Sequence, residues 1–151
     1  MRSFFIALTS LLLPALLKAQ TAEDSVKAVI EKMFKCMQRS DAEGLRSVFA
    51  DSAILQTISR NKEGKVFVRT DRKDDFIAFV GKQNPGAADE RISFETVKVD
   101  GPLALAWTPY QFYFNGQFSH CGVNSFQLVR LEGLWKIQYL IDTRRRNPCG
   151  N

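Results

Sequence analysis

Between Leu103 and Thr143 the chain reads LALAWTPYQFYFNG, then QFSHCGVNSFQLVR, then LWKIQYLIDT. These are three long, aromatic-rich segments separated by short glycine-bearing turns, the pattern of consecutive antiparallel strands. A sheet that broad has a face to bury, so the remainder of the chain must cover it. The only histidine, His120, and two of the three cysteines, Cys121 and Cys149, lie in this stretch or just after it.

The chain before it supplies the cover. Asp24 is placed to cap a helix running to about Arg39, with Val26, Val29, Ile30, Met33, Phe34 and Met37 on one stripe. Cys36 lies beside that stripe and reads as a buried thiol. Ser40-Asp41 breaks the pattern and starts a second helix over Ala42–Phe49, with Leu45, Val48 and Phe49 inward. Ala53–Arg60 and Lys65–Thr70 read as a hairpin about the turn Asn61–Gly64. Asp71–Gly81 carries Phe76, Phe79 and Val80 at helical spacing, a third helix capped by Thr70 or Asp71. Gln83–Asp89 reads as a loop and Arg91–Asp100 as one strand before the turn at Gly101-Pro102. Helices first and a meander afterwards define an α+β layer fold.

At 151 residues and 45% hydrophobic content, the chain is one domain's worth with enough apolar material for a core. Met1–Ala19 has the form of a secretory signal peptide: Arg2, the apolar run Phe4–Leu17, then a small residue at Ala19 before polar sequence. The domain then spans residues 20–151, and a secreted or periplasmic location is expected, with no stable membrane insertion after cleavage. Taking Arg2 and Lys18 from the 21 basic residues leaves 19 against 16 acidic, a net charge of +3. That is too mild to argue for nucleic acid. Outside the cytoplasm, Cys36, Cys121 and Cys149 allow three single bridges. Cys121 begins a strand antiparallel to the one ending near Arg144. A reversal at Asn147-Pro148 can return Cys149 to it, so a Cys121–Cys149 disulfide is predicted, leaving Cys36 free. Without a C-x-x-C, GxGxxG, P-loop or HExxH motif, no cofactor or metal is expected.

Leu45-x-x-x-Phe49-Ala50-Asp51-x-Ala53, Gly64-Lys65, and Phe126–Val129 leading to Gly133-x-Trp135-Lys136-Ile137 resemble the nuclear transport factor 2-like superfamily. The resemblance covers roughly Ala22 to Thr143. It implies a cone-shaped, curved antiparallel sheet with three N-terminal helices enclosing a cavity, often paired as a homodimer through the sheet. Val123, Val129 and Trp107 are apolar candidates for such a contact. The superfamily also holds ketosteroid isomerase and polyketide cyclase-like proteins, and fold does not carry function across it. The strand position where ketosteroid isomerases keep a carboxylate base corresponds here to Ala53–Thr57, which has none. The first helix offers Phe34 and no tyrosine.

A polar set remains inside the organising stretch. With a period of two, His120 and Asn124 share a face with Phe126 and Leu128, while Cys121, Val123 and Ser125 take the other. A two-residue turn at Glu132-Gly133 puts Phe126 opposite Tyr139 and Leu128 opposite Ile137; a bulged loop would change that pairing. The expected ligand site is therefore Tyr110, Tyr113, His120, Asn124, Asp142 and Arg144, with Phe112 and Phe114 as further aromatic wall. Arg144-Arg145-Arg146 reads either as an anion clamp or as a solvated strand end in which Asp142 pairs with Arg144 or Arg146. Alternation places Arg144 and Arg145 on opposite faces. Two functions fit: a non-catalytic, exported cavity protein binding a small, partly apolar molecule, or a cofactor-free dehydratase, cyclase or hydrolase using His120 as acid–base group. They separate on whether a second acid–base group lies within reach of His120.

Overall fold

The structure, a computed structural model, describes residues 21–146 and Cys149. The expected signal peptide and the reversal at Asn147-Pro148 lie outside the described residues. The elements run α1 (Ala22–Arg39), α2 (Ala42–Val48), β1 (Phe49–Arg60), β2 (Val66–Asp71), α3 (Lys73–Gly81), β3 (Ala88–Ile92), β4 (Thr96–Asp100), β5 (Leu103–Phe114), β6 (Gln117–Leu131) and β7 (Leu134–Thr143).

The three long strands form where expected, because their turns have the chemistry that tight hairpins need. Asn115 and Gly116 have φ of 51° and 77°, and Glu132 and Gly133 have 49° and 82°. Both pairs are two-residue turns with positive φ at each position, the twist that suits adjacent antiparallel strands. Leu128 then pairs with Ile137 as expected, but Phe126 pairs with Leu140 rather than Tyr139. One residue of β7 is skipped at a bulge between Gln127 and Leu128.

The sheet has seven strands in the order β2-β1-β7-β6-β5-β3, with β4 also paired to β5. Every pair is antiparallel except β1 with β7, which run parallel. The single strand expected over Arg91–Asp100 is two. β3 starts earlier, at Ala88, and pairs with Tyr110–Phe114; β4 pairs with Leu103–Trp107. At the break, Ser93 and Glu95 still donate to the Pro109 and Trp107 carbonyls, so the edge bends without leaving β5.

The helices cover one face. α1 is capped by Thr21, not Asp24: the Thr21 hydroxyl accepts from the Asp24 amide, and the Asp24 carboxylate accepts from the Thr21 amide. Val26, Ile30, Met33, Phe34 and Met37 are buried along α1, with Phe34 edge-on to Phe126 at 6.2 Å. Asp41 caps α2, and Phe49 belongs to β1. α3 begins at Lys73 with no side-chain cap, and Ile77 rather than Phe79 joins Val80 in the core. Phe79 is left half exposed, at the cavity.

Beyond β7 the chain keeps pairing with β6. Arg145 exchanges both backbone hydrogen bonds with Cys121, and Cys121 is bridged to Cys149 with Cα atoms 6.1 Å apart. Cys36 is a buried free thiol, as expected.

Candidate functional site

α1, α3 and the curved sheet enclose a cavity of about 680 Å³. Its apolar walls come from Met33, Phe34 and Met37 of α1 and from Phe76, Phe79 and Val80 of α3. Phe112 and Phe114 alternate inward from β5, stacked at 6.5 Å. A volume of this size is typical of small-molecule sites.

The sheet side carries a polar band. His120 and Asn124 face the cavity from β6, and Asp142 and Arg144 from β7 and its continuation, so four of the six expected residues come together. Asp142 is only 7% exposed and therefore does not belong to a solvated strand end. Its Oδ2 accepts from Arg144 Nε at 2.8 Å and lies 3.0 Å from the Tyr110 hydroxyl. Arg144 also donates from Nη2 to Thr57 Oγ1 at 3.2 Å, which leaves its other N–H groups for the cavity. Arg145 faces elsewhere, with Nε 3.3 Å from Cys149 Sγ.

Two expected residues sit differently. Tyr110 is buried behind the band, with its hydroxyl 2.9 Å from the Thr143 carbonyl and 3.0 Å from Asp142. Burial, then the Asp142 and Glu90 carboxylates, hold its phenol well above the usual range, so Tyr110 stays neutral and positions Asp142. Tyr113 is not at the cavity. It lies on the other side of β5, under the Arg91 guanidinium at 4.2 Å and against Phe118. Tyr113 is three positions on from Tyr110, an odd step, and a period of two sends such a pair to opposite faces.

Gly122 makes the turn-in of Arg144 possible. A methyl group there would run into the Thr143 carbonyl oxygen and touch the Tyr110 ring. With no side chain at Gly122, Thr143 approaches close enough to meet the Tyr110 hydroxyl, and Arg144 follows into the cavity.

His120 lies edge-on to Tyr110 at 5.7 Å and tilted against Phe112 at 5.0 Å, with Nδ1 3.1 Å from Ser119 Oγ. Burial, then the positive charge of Arg144, push its pKa below the ordinary imidazole value against the opposing pull of Asp142. At neutral pH the ring is therefore uncharged.

The residue missed in the sequence is Glu90. It enters the cavity from β3, a strand whose first residues were expected to be loop. Its Oε1 accepts from Asn124 Nδ2 at 2.8 Å. Burial pushes its carboxyl up to about 7; the Asn124 hydrogen bond opposes this, Asp142 adds to it and Arg144 works against it. The signal was present: Ala88, Glu90 and Ile92 alternate inward with Asp89 and Arg91.

A curved sheet closed by three helices over one partly polar cavity defines a nuclear transport factor 2-like protein. It is similar to an NTF2-like protein of unknown function from Shewanella baltica OS155, at 14% identity and TM-score 0.62, covering 83% of this chain and 93% of that one. A domain of unknown function with a cystatin-like fold from Nostoc punctiforme PCC 73102 aligns at 21% identity and TM-score 0.62, over 83% and 78% of the two chains. An NTF2-like protein of unknown function from Silicibacter pomeroyi DSS-3 aligns at 21% identity and TM-score 0.60, over 80% and 93%. These likenesses concern the fold alone. Within the class, the chain belongs to the family described as "Putative lumazine-binding", which matches residues 21–138. No curated protein matches it.

Proposed function

We propose that this protein is an exported, non-catalytic binder of a small, planar, partly apolar molecule held between α1, α3 and the sheet. The observation that carries the reading is the cavity: apolar walls on the helix side, and on the sheet side one polar band of Glu90, Asn124, Asp142 and Arg144. Aromatic walls suit a flat ring, and Arg144, fixed by Asp142 and Thr57, presents donors to a carbonyl or carboxylate. The family description points in the same direction, since lumazine is a flat bicyclic heterocycle bearing carbonyls. A thermal-shift screen of lumazines, flavins and aromatic carboxylates tests it. Ligand at a hundred times its Kd adds about 2.7 kcal/mol to stability, several degrees for a domain of this size. The shift should vanish in Asn124→Ala and shrink in His120→Ala. A ligand whose shift survives both substitutions binds elsewhere.

The catalytic alternative rests on one observation, that Glu90 supplies a second titratable group in the cavity with His120. In that reading a neutral imidazole accepts a proton and a neutral Glu90 donates one, as in a dehydratase, cyclase or hydrolase without cofactor. Turnover of a bound ligand, lost in His120→Ala with binding retained, would establish it.

The outer face of the sheet supports pairing as a homodimer. Leu103, Leu105 and Trp107 point outward from β5, with Val129 across from Leu103, and form an apolar row on the side away from the helices.

A further inference from the structure

The ion pairs around the cavity leave one acid out. Arg69 pairs with Asp71, Arg72 with Asp75, and Arg144 with Asp142. Glu90 has no basic partner among the described residues; it receives one hydrogen bond, on Oε1 from Asn124. That amide nitrogen keeps a second hydrogen after donating to Glu90. Asn124 is itself 4% exposed and set in β6 opposite Asp142, so the pair is held by the sheet and not by a mobile loop. Among the described residues Oε2 of Glu90 is thus an acceptor without a hydrogen-bond partner, in a cavity walled by aromatic rings. A ligand that covers this oxygen must supply a donor to it, or the lost hydration counts against binding.

We propose that Glu90 is the specificity-determining residue of the cavity, its free carboxyl oxygen taking an N–H of the ligand while the spare hydrogen of Asn124 takes the adjoining carbonyl. The ligand class is then a planar heterocycle with a lactam or imide edge, N–H beside C=O. This rests on the binding role proposed above and narrows it. The opposite end of the band is a donor, Arg144, so a ligand with a second carbonyl or an anionic substituent is oriented in one direction. Binding also carries a proton cost. With Oε1 taken by Asn124, the proton of a neutral Glu90 sits on Oε2. The carboxyl must therefore be ionised for that oxygen to take an N–H, and free Glu90 is about half protonated near pH 7. The groups facing it are Asp142 and Arg144 from the end of β7, His120 from β6 and the neutral Tyr110 from β5. α1 brings only Met33, Phe34 and Met37 to the cavity. A ligand N–H donor therefore releases protons on binding below pH 7, and affinity falls about tenfold per pH unit well below that point.

The test is calorimetric titration of the disulfide-intact protein with two isomers of equal size. 6,7-Dimethyllumazine keeps both ring N–H groups, and 1,3-dimethyllumazine has both replaced by methyl. The 6,7 isomer should bind at least tenfold more tightly at pH 8, and the preference should disappear in Glu90→Leu. Glu90→Gln has a single acceptor oxygen, which Asn124 takes, so its amide nitrogen meets the ligand N–H as a second donor. It should bind the 6,7 isomer weakly, with little change between pH 5.5 and 8. Equal binding of the isomers, or a preference unaltered in both variants, overturns the assignment while leaving the cavity as a binding site. Binding of aromatic carboxylates but neither lumazine overturns the ligand class alone. No binding of any probe removes both readings.

Discussion

Glu90 is the residue whose environment has the largest consequence for the free protein. Its carboxyl is raised from the ordinary 4.5 to about 7, so the folded state holds that proton more tightly than the unfolded chain does. The stability it contributes is complete below about pH 4.5 and is lost as pH rises through about 7. Glu90→Gln cannot lose a proton, and its stability relative to wild type should therefore improve between pH 5 and pH 8, by about 2 kcal/mol. Urea midpoints of the two proteins across that range measure it; a constant difference would show that Glu90 is ionised throughout. The same residue shows where reading the sequence stopped short. His120, Asn124, Asp142 and Arg144 were legible because they sit on long strands whose alternation is clear. Glu90 sits on a five-residue strand entered from Asn84-Pro85-Gly86, and that loop signal masked the two-residue rhythm after it. Tyr113 lies off the cavity for a different reason: an aromatic ring on this strand suggests a pocket wall, but its odd spacing from Tyr110 turns it to the opposite face.

At the scale of elements, the end of β7 decides how the polar band is held. Arg145 is tied to Cys121 through the backbone and Cys149 to Cys121 through sulfur, with Arg144 one residue before that tie. The bridge closes a separation of 28 residues, for which the chain-entropy account gives about 3.5 kcal/mol. Replacing both Cys121 and Cys149 with alanine should lower unfolding stability by about that amount. It should also speed amide exchange at Arg145 and residue 121 more than in the β5–β6 core. An unchanged midpoint would mean that the tail contributes no stability. Helix and hairpin boundaries in the sequence were good to a few residues, and the exceptions have local causes. Thr21 outcompeted Asp24 as a cap because Asp24 serves better at the third helical position, returning a hydrogen bond to the Thr21 amide. The bend at Ser93–Glu95 divides one expected strand into two, and its mark in the sequence is the three-residue step from Phe94 to Val97 in a series otherwise spaced by two.

For the molecule as a whole, the layered α+β architecture was legible, since helical stripes followed by Gly-punctuated strands admit few other packings. Which way β1 runs against β7 was not, because that pairing joins segments far apart in the chain and depends on packing. The outward row at Leu103, Leu105 and Trp107 is 45–51% exposed in the single chain, a large apolar surface for a monomer to show to water. Light scattering at tens of micromolar should give a dimer for the wild-type protein and a monomer for Trp107→Glu. A monomeric wild type would remove the two-fold contact. No helix among the described residues is long and apolar enough to cross a membrane.

The parallel pair has a further consequence, for the order in which the fold can assemble. β1 meets β7 from Phe49↔Ile137 to Ile58↔Thr143, so its partner is the last strand to be made. Before β7 docks, β1 and β2 wait as a hairpin with one edge open, while β3 to β6 can already pair with one another. Closing so long a loop is slow in itself, which places the docking of this arm late in folding. The arm brings Leu55, Gln56 and Thr57 to the cavity, and Thr57 holds Arg144. Until β7 is in place the sheet is therefore two separate pieces, β1–β2 and β3–β6, with no enclosed chamber between them.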